Sequence, residues 1–428
     1  MTTPLRLGIA GLGTVGVGVV KIVEGQAALL AARTGRPIKI SAVSARTKDK
    51  DRGIRVEQYA WEADAVALAN RDDVDVLVEL IGGEDGPAKA ATQAAIAAGK
   101  HVVTGNKAML ATHGQTLARA AETAGVALRY EAAVAGGIPV IKALTEGLAG
   151  NGIGRVMGVM NGTCNYILTR MDNAGLTYAE AFAEADGLGY VEADPELDVG
   201  GIDAAHKLAL LAAIAFGTQV DFPSIALEGI GAITIEDIRR AGDLGYKIKL
   251  LGVAQMTGRG LEQRMTPCLV PSKSPLGQLE GGTNMVVLEG DAVGQIVLRG
   301  AGAGEGPTAS AVVADLCDIA RGSIGAVFGQ PADQLSRATP ASSGASGAYY
   351  LRMELTDKPG ALAKVATVLG DNGISIDRMR QYDHPGGQAP VLIVTHKTAR
   401  PNLDAALAAL PGTSVVTGAP VALRIEEV

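Results

Sequence analysis

The chain has 428 residues, 47% of them hydrophobic but only 3% aromatic, and a formal net charge of −7; at roughly 150 residues per domain this accommodates two or three domains with cores of Ala, Val, Leu and Ile. The acidic balance, without any Lys/Arg-rich run, argues against a nucleic-acid partner, and three widely spaced cysteines (Cys164, Cys268, Cys317) against a disulfide framework or a C-x-x-C metal site, which fits a reducing compartment. The start MTTPLRLGIAGLG lacks the charged region and cleavage site of a leader, and the longest apolar run, 208–216, is too short to span a bilayer, so a soluble cytoplasmic protein with no membrane partner is expected.

Along the chain, residues 5–10 form an apolar run that meets Gly11, and a helix is expected over 15–33. Strand-like runs follow at 38–44, 74–81, 101–104 and 127–131, with an Ala-rich helix at 88–98 closed by Gly99. This rhythm predicts an α/β fold: a Rossmann-type domain with a parallel, doubly wound sheet over 1–133. From 134 to 330 longer helices (178–186, 202–216) interleave with strands (155–160, 249–255, 285–289), which predicts a mixed α/β catalytic and dimerisation domain. Helix 308–321, after a glycine-rich loop, is expected to return to the first domain and complete it. Residues 331–348, PADQLSRATPASSGASGA, read as a linker able to bury little. The last 80 residues, 349–428, read as strand 349–355, helix 361–372, strands 374–381 and 389–395, helix 402–409 and strand 421–426, a ferredoxin-like βαββαβ order.

Gly11-Leu12-Gly13-Thr14-Val15-Gly16 fits G-x-G-x-x-G between an apolar strand and an amphipathic helix. The first glycine permits the turn, the second lets the backbone approach a pyrophosphate, and the third lets helix and strand pack closely. These six residues are expected to bind a dinucleotide. The second strand ends in Ser44-Ala45-Arg46-Thr47 rather than in an acid; Ala45 and Arg46 would meet the ribose, and an Arg suits a 2′-phosphate, which favours NADP over NAD. Arg46 facing solvent is the plainer alternative.

Four further stretches carry a resemblance: TGNKA (104–108), YEAAVAGGIP (130–139), NGTCNY (161–166) and above all GYVEADPELDVGGIDAAHK (189–207). With the glycine loop they are similar to homoserine dehydrogenase, from the loop to about residue 324. Gly105 and Cys164 depart from the residues common in that family, Ala and Thr, and leave Lys107 in place. The resemblance implies NAD(P)H-dependent reduction of L-aspartate 4-semialdehyde to L-homoserine, on the route to threonine, methionine and isoleucine. It implies Lys207 as proton donor, Lys107 in contact with cofactor and substrate, and Glu192 and Asp198 as substrate-binding acids. It also implies a loop containing Gly306 over the nicotinamide, and a monovalent cation, sodium, held by Glu131, Val134, Gly136 and Ile138.

The residue types suit that chemistry. Reducing an aldehyde builds negative charge on oxygen, which needs a cationic group and a proton. Asp203 and Lys207 stand four apart on one helix; spacing alone suggests a surface ion pair worth about 0.2–0.5 kcal/mol, while the surrounding motif makes the pair catalytic. His206 reads as helix packing or as a group supporting the site from behind. In the last unit, LTDKPGAL (355–362) and NGISI (372–376) resemble an ACT domain, which binds amino acids between paired copies. Asp357, Gly360 and Asn372 are its candidate effector residues, threonine the candidate effector, and a homodimer or homotetramer the expected assembly. Two other readings stay open: another Rossmann reductase of an amino-acid semialdehyde, and a non-catalytic amino-acid sensor.

Overall fold

The computed structural model describes residues 3–191, 194–341, 344–382 and 388–427. The elements run β1 (Leu5–Ala10), α1 (Thr14–Gly25), α2 (Ala27–Thr34), β2 (Ile38–Ser44), β3 (Ala60–Glu62), α3 (Ala65–Asn70), β4 (Val76–Glu79), α4 (Pro87–Ala97), β5 (His101–Thr104), α5 (Lys107–Ala124) and β6 (Leu128–Arg129). Then come α6 (Val140–Lys142), β7 (Ile153–Val159), α7 (Gly162–Ala174), α8 (Tyr178–Gly187), α9 (Pro195–Val199), α10 (Ile202–Phe216), β8 (Ala226–Leu227), α11 (Ile235–Asp243), β9 (Tyr246–Thr257) and β10 (Gly260–Pro271). The chain ends with β11 (Thr283–Gly290), β12 (Gly294–Ala301), α12 (Glu305–Ala320), β13 (Ala348–Thr356), α13 (Ala361–Asp371), β14 (Ile376–Gln381), β15 (Gln388–Thr395), α14 (Arg400–Ala409) and β16 (Val416–Ile425). They divide into two compact units, each discontinuous in sequence.

The first unit holds Met1–Gly162, Asp203–Ile225 and Gly282–Ala338. Its six-stranded sheet has the order β3-β2-β1-β4-β5-β6, parallel at every pair. That is the doubly wound order in which a ligand crevice opens beyond the strand ends where β1 meets β4. Leu7, Ile9, Val43, Val76, Val78 and Val103 from the strands are buried with Val19, Val20 and Val23 of α1 and Val312, Leu316 and Ile319 of α12. Each such side chain contributes about 1.5–3 kcal/mol when fully buried. Helix α12 lies so close to α1 that a Cβ on Gly18 would stand 2.8 Å from the Glu305 carbonyl oxygen. A separate antiparallel ladder, β7-β11-β12, belongs to the same unit.

Several details differ from the sequence reading. The helix expected over 15–33 is two helices bent by 77°, because Gln26 leaves helical dihedrals (φ −115°, ψ 18°) immediately after Gly25. Strand β3 and helix α3, with the long α5, were not anticipated; three residues at Ala60–Glu62 carry no readable period. The segment from 331 is not a loose tether throughout. Ala332 and Leu335 are buried, Glu122 accepts hydrogen bonds from the backbone N–H groups of Val327 (3.1 Å) and Ala332 (2.7 Å), and Ser336 bridges to Thr218. Among the described residues no single helix is long and apolar enough to cross a membrane.

The second unit holds Thr163–Ile202, Ala226–Gly281 and Thr339–Val428. Its strands run β9-β10-β16-β13-β15-β14, with β8 beside β10. The last four strands have the 4-1-3-2 arrangement of a βαββαβ unit, with α13 and α14 burying Val365, Leu369 and Leu403 against Leu351, Met353, Val391 and Ile393. Strand β16 pairs in parallel with β10 through Cys268–Arg424 and Leu269–Ile425. At this seam the buried Arg264 lies between Glu262 (3.2 Å) and Glu426, and Glu426 N–H donates to the Leu269 carbonyl at 2.8 Å.

Candidate active site

The glycine loop has the backbone a dinucleotide needs. Gly11 sits at φ 104°, and a Cβ there would stand 2.4 Å from the Leu80 carbonyl oxygen; at Gly16 it would stand 2.0 Å from the Gly11 carbonyl oxygen. Nothing lies within 4 Å of a Cβ built on Gly13, the residue that caps α1 without a side-chain acceptor, and no acid occupies the helix's first turn. The first N–H groups of α1 are thus directed at open space where negative charge is favoured, which fits a pyrophosphate. Ala45 and the exposed Arg46 follow the end of β2. A residue not singled out from sequence, Arg52, braces this corner: its guanidinium donates to the carbonyl oxygens of Leu12 (3.2 Å), Lys50 (2.8 Å) and Thr47.

Lys107 is the first residue of α5, at the carboxyl end of β5. Asn106 caps the helix by accepting from Met109 N–H (3.1 Å), and its amide donates to the Gly83 carbonyl (2.7 Å). The fully buried Glu79, also missed from sequence, accepts from the N–H groups of Ile81 (2.8 Å) and Gly82 (3.1 Å) and from the Thr104 hydroxyl. Together they stiffen the turns from which Lys107 projects.

Asp203 joins two lysines. Its Oδ1 is 2.7 Å from Lys107 Nζ and its Oδ2 is 2.8 Å from Lys207 Nζ. Lys207 Nζ also donates to the Met160 carbonyl oxygen at 2.8 Å. The Asp203 and Lys207 side chains are each 10% exposed, so this is no surface pair. Burial alone would raise the Asp203 carboxyl, but Lys207 and Lys107 outweigh it and hold the group well below the usual carboxylate range. His206, on the same helix, packs its ring 4.4 Å from that of Phe222, and burial lowers its pKa. The ring packs in the helix interface, within the electrostatic reach of Asp203.

Glu131, Val134, Gly136 and Ile138 are all buried and close in the chain. Glu131 accepts from the backbone N–H groups of Ile141 and Lys142, both at 2.9 Å, and its own N–H donates to Asp315 Oδ2 at 2.8 Å. Burial, with the neighbouring Asp315, pushes the Glu131 carboxyl up to about 7, and burial pushes Asp315 to about 6. Lys142 is shared between Asp315 (3.2 Å) and Asp318. Gly136 (φ 57°) lies against the Gly302 carbonyl, 2.4 Å from a Cβ built there, and Gly137 N–H donates to the Ala301 carbonyl at 3.0 Å. The expected cation segment therefore abuts the loop that opens α12. Gly306 is exposed in the first turn of that helix with nothing within 4 Å of a Cβ; the helix begins three residues earlier than expected, Pro307 being tolerated in a first turn.

In the second unit Asp198 is buried in α9, and its carbonyl oxygen receives the Cys164 thiol at 3.2 Å. Glu192 lies outside the described residues. Tyr190, in the motif but not singled out, stacks on Tyr166 at 4.8 Å, and its carbonyl receives the Thr163 hydroxyl at 2.9 Å. The effector candidates do not converge within one chain. Asp357 is exposed in the turn before α13 and Gly360 (φ 85°) caps that helix, whereas Asn372 stands at its far end, donating to the Val368 carbonyl at 2.8 Å. Eleven residues of helix separate them by roughly 16 Å.

A 3-2-1-4-5-6 parallel sheet, an uncapped glycine-loop helix and a buried Lys–Asp–Lys bridge past a strand end define a nicotinamide-dependent oxidoreductase. Comparison with known proteins narrows the class. Residues 139–317 match the family description "Homoserine dehydrogenase", 11–131 match "Homoserine dehydrogenase, NAD binding domain", and 349–411 match "ACT domain". The homoserine dehydrogenase of Pseudomonas aeruginosa is 42% identical over 437 residues, covering 99% of each chain. The crystal structure of the Thiobacillus denitrificans enzyme has a TM-score of 0.94 at 41% identity, covering 99% of each chain. A hyperthermophilic archaeal homoserine dehydrogenase in complex with NADPH has a TM-score of 0.62 at 25% identity over 74% of this chain. The chain belongs to the homoserine dehydrogenase family, with a C-terminal ACT domain. Its activity is that of an NAD(P)-dependent oxidoreductase acting on a CH–OH group, interconverting L-aspartate 4-semialdehyde and L-homoserine, and both the other-reductase and the sensor readings are set aside.

Proposed function

We propose that Lys207 is the proton donor to the aldehyde oxygen, that Lys107 binds the substrate and the cofactor, and that Asp203 orients both ammonium groups. The observation that carries this is the single buried carboxylate holding the two amines at 2.7 and 2.8 Å. In the reductive direction the carbonyl carbon gains a hydride and the oxygen gains a proton from Lys207; in the oxidative direction Lys207 Nζ takes the hydroxyl proton back. The bound nicotinamide supplies or accepts the hydride. Lys107, with a side chain 30% exposed against 10% for Lys207, retains access to a ligand while Asp203 holds it. Glu192 and Asp198 take the substrate's ammonium group in this reading. NADP+-dependent oxidation of homoserine by Lys207→Ala, followed at the nicotinamide absorbance, tests the assignment; a rate equal to the parent's sinks it.

The cofactor is NADP in preference to NAD, read by Arg46. A charge-assisted contact to a 2′-phosphate contributes about 1.5–3 kcal/mol. Arg46→Ala is therefore expected to raise KM for NADPH roughly 10- to 100-fold and to leave KM for NADH unchanged. Equal effects on both cofactors count against the reading.

A monovalent cation, sodium, sits with Glu131, Val134, Gly136 and Ile138. What supports it is a pair of buried carboxylates, Glu131 and Asp315, both pushed up by burial, beside a Lys142 ammonium that Asp315 shares with Asp318, which Arg321 also holds. Hard cations take oxygen ligands of these kinds. Melting in NaCl is expected to exceed melting in choline chloride of equal ionic strength by a few degrees, about 1 kcal/mol or more for a bound ion in excess. Identical melting temperatures remove the site.

The ACT domain takes threonine as a feedback inhibitor at the Asp357–Gly360 turn, whose left-handed glycine leaves the backbone open. Threonine titrated against activity is expected to inhibit the full chain and to inhibit Asp357→Ala at least about tenfold less well, the loss of one charge-assisted hydrogen bond. Inhibition absent in both chains excludes threonine. Functionally the chain divides into a cofactor domain at 1–133, a catalytic and dimerisation domain at 134–330, a connector at 331–348 and the regulatory domain at 349–428. It works as a homodimer or homotetramer in the cytoplasm, its three cysteines all being buried.

A further inference from the structure

Asn284, the second residue of β11, is 1% exposed. Its Nδ2 donates to the Met160 carbonyl oxygen at 3.1 Å, and that same oxygen receives Lys207 Nζ at 2.8 Å. The amide's orientation is fixed by this contact, since a flip would set Oδ1 against the Met160 oxygen, acceptor to acceptor. Its plane lies on Gly302: a Cβ there would stand 1.9 Å from Nδ2 and 2.6 Å from Oδ1. The amide thus fills the space left by a missing side chain in the loop that opens α12.

Asn284 Oδ1 is buried without a hydrogen-bond partner among the described residues. Leaving a buried acceptor unpaired destabilises a fold, and an apolar side chain of similar size would avoid that penalty. The amide is therefore poorly explained by stability and well explained by what its donor does. An ammonium group has three N–H bonds in tetrahedral array. At Lys207 one is directed to Asp203 Oδ2 and a second to the Met160 oxygen, which fixes the direction of the third. The Met160 carbonyl can turn about its backbone unless something else holds it, and Asn284 does.

We propose that Asn284 is a positioning residue for the reaction: by holding the Met160 carbonyl it sets the direction in which the third N–H of Lys207 points. The proposal rests on Lys207 being the proton donor. It is tested with Asn284→Ala and with the near-isosteric Asn284→Leu, which keeps the shape and loses the donor, each alone and in a Lys207→Ala background. Expected is a fall in kcat of about tenfold for either single variant, with the Kd for NADP+ and the KM for homoserine within about twofold of the parent. In the Lys207→Ala background the same substitutions are expected to change the residual single-turnover rate by less than about twofold, because residues acting as one unit are not additive. A tenfold loss in both backgrounds, a single-variant kcat equal to the parent's, or weakened NADP+ binding with kcat retained (a role confined to the Gly302 loop) each overturns it. Full turnover by Lys207→Ala alone strikes the proton-donor reading itself, and this inference with it. Should Asn284→Ala not fold, the leucine variant gives the same readings.

Discussion

Lys207→Ala is expected to lower kcat for homoserine oxidation by at least about 100-fold, the low end for general acid–base catalysis and about 2.7 kcal/mol of barrier, while NADPH binds within about threefold of its parent affinity. The reasoning is local. Removing Nζ leaves Asp203 paired with Lys107 at 2.7 Å and leaves the Met160 carbonyl with Asn284 at 3.1 Å. No buried charge is stranded, so the substitution removes a proton carrier and a few apolar contacts without breaking the pocket wall. The glycine loop, Gly11 to Gly16, belongs to other elements of the sheet and keeps its backbone. The affinity is read by quenching of NADPH fluorescence and the rate by single-turnover absorbance. A variant turning over within tenfold of its parent cannot have lost its acid, and the role would then pass to Lys107 or to water.

How far the sequence carried this picture depends on what each residue advertises. Parallel strands buried on both faces are short apolar runs, and Leu5–Ala10, Ile38–Ser44 and His101–Thr104 lie where the runs are. The glycine loop is legible because steric necessity leaves no choice of residue at Gly11 and Gly16. The βαββαβ order of the last 80 residues is legible from alternating strand and helix periods, but its seam with β10 is not: pairing between distant strands leaves no local trace. The site is legible in halves. Asp203 and Lys207 share a helix face, yet their spacing alone suggests solvent; it is Lys107, supplied by another element, that makes the carboxylate a bridge. Arg52, Glu79 and Asn284 were invisible because each acts through backbone groups, whose positions a sequence does not state. The effector candidates lie at opposite ends of one helix, Asp357 before it and Asn372 at its close, a separation that motif order in the sequence does not state.

The Asp203→Asn variant separates the two meanings of an acid four residues before a lysine. A solvated pair gives up no more than about 0.5 kcal/mol when it is broken. The buried bridge is expected to lose about 2–3 kcal/mol, less than the ~3–5 kcal/mol of a fully buried pair because Lys107 is 30% exposed and its charge partly screened. The pH dependence carries the sign. Asp203 is held below its unfolded value near 3.9; burial opposes this, and the two ammonium groups outweigh it. A depressed carboxyl contributes stability that is present above the unfolded pKa and lost as pH falls through the folded one. The difference in urea midpoint between parent and variant is therefore expected at full size at pH 7 and pH 5, and to narrow below about pH 4 as the parent's carboxylate is protonated in the unfolded and then the folded chain. Turnover is expected to fall with it, since asparagine keeps the shape but lets two like charges repel across a neutral amide, and neither amine then holds its direction. A variant as stable as its parent, with the same midpoint at every pH, means that the carboxylate is solvated and that the two lysines are not bound to a common anchor.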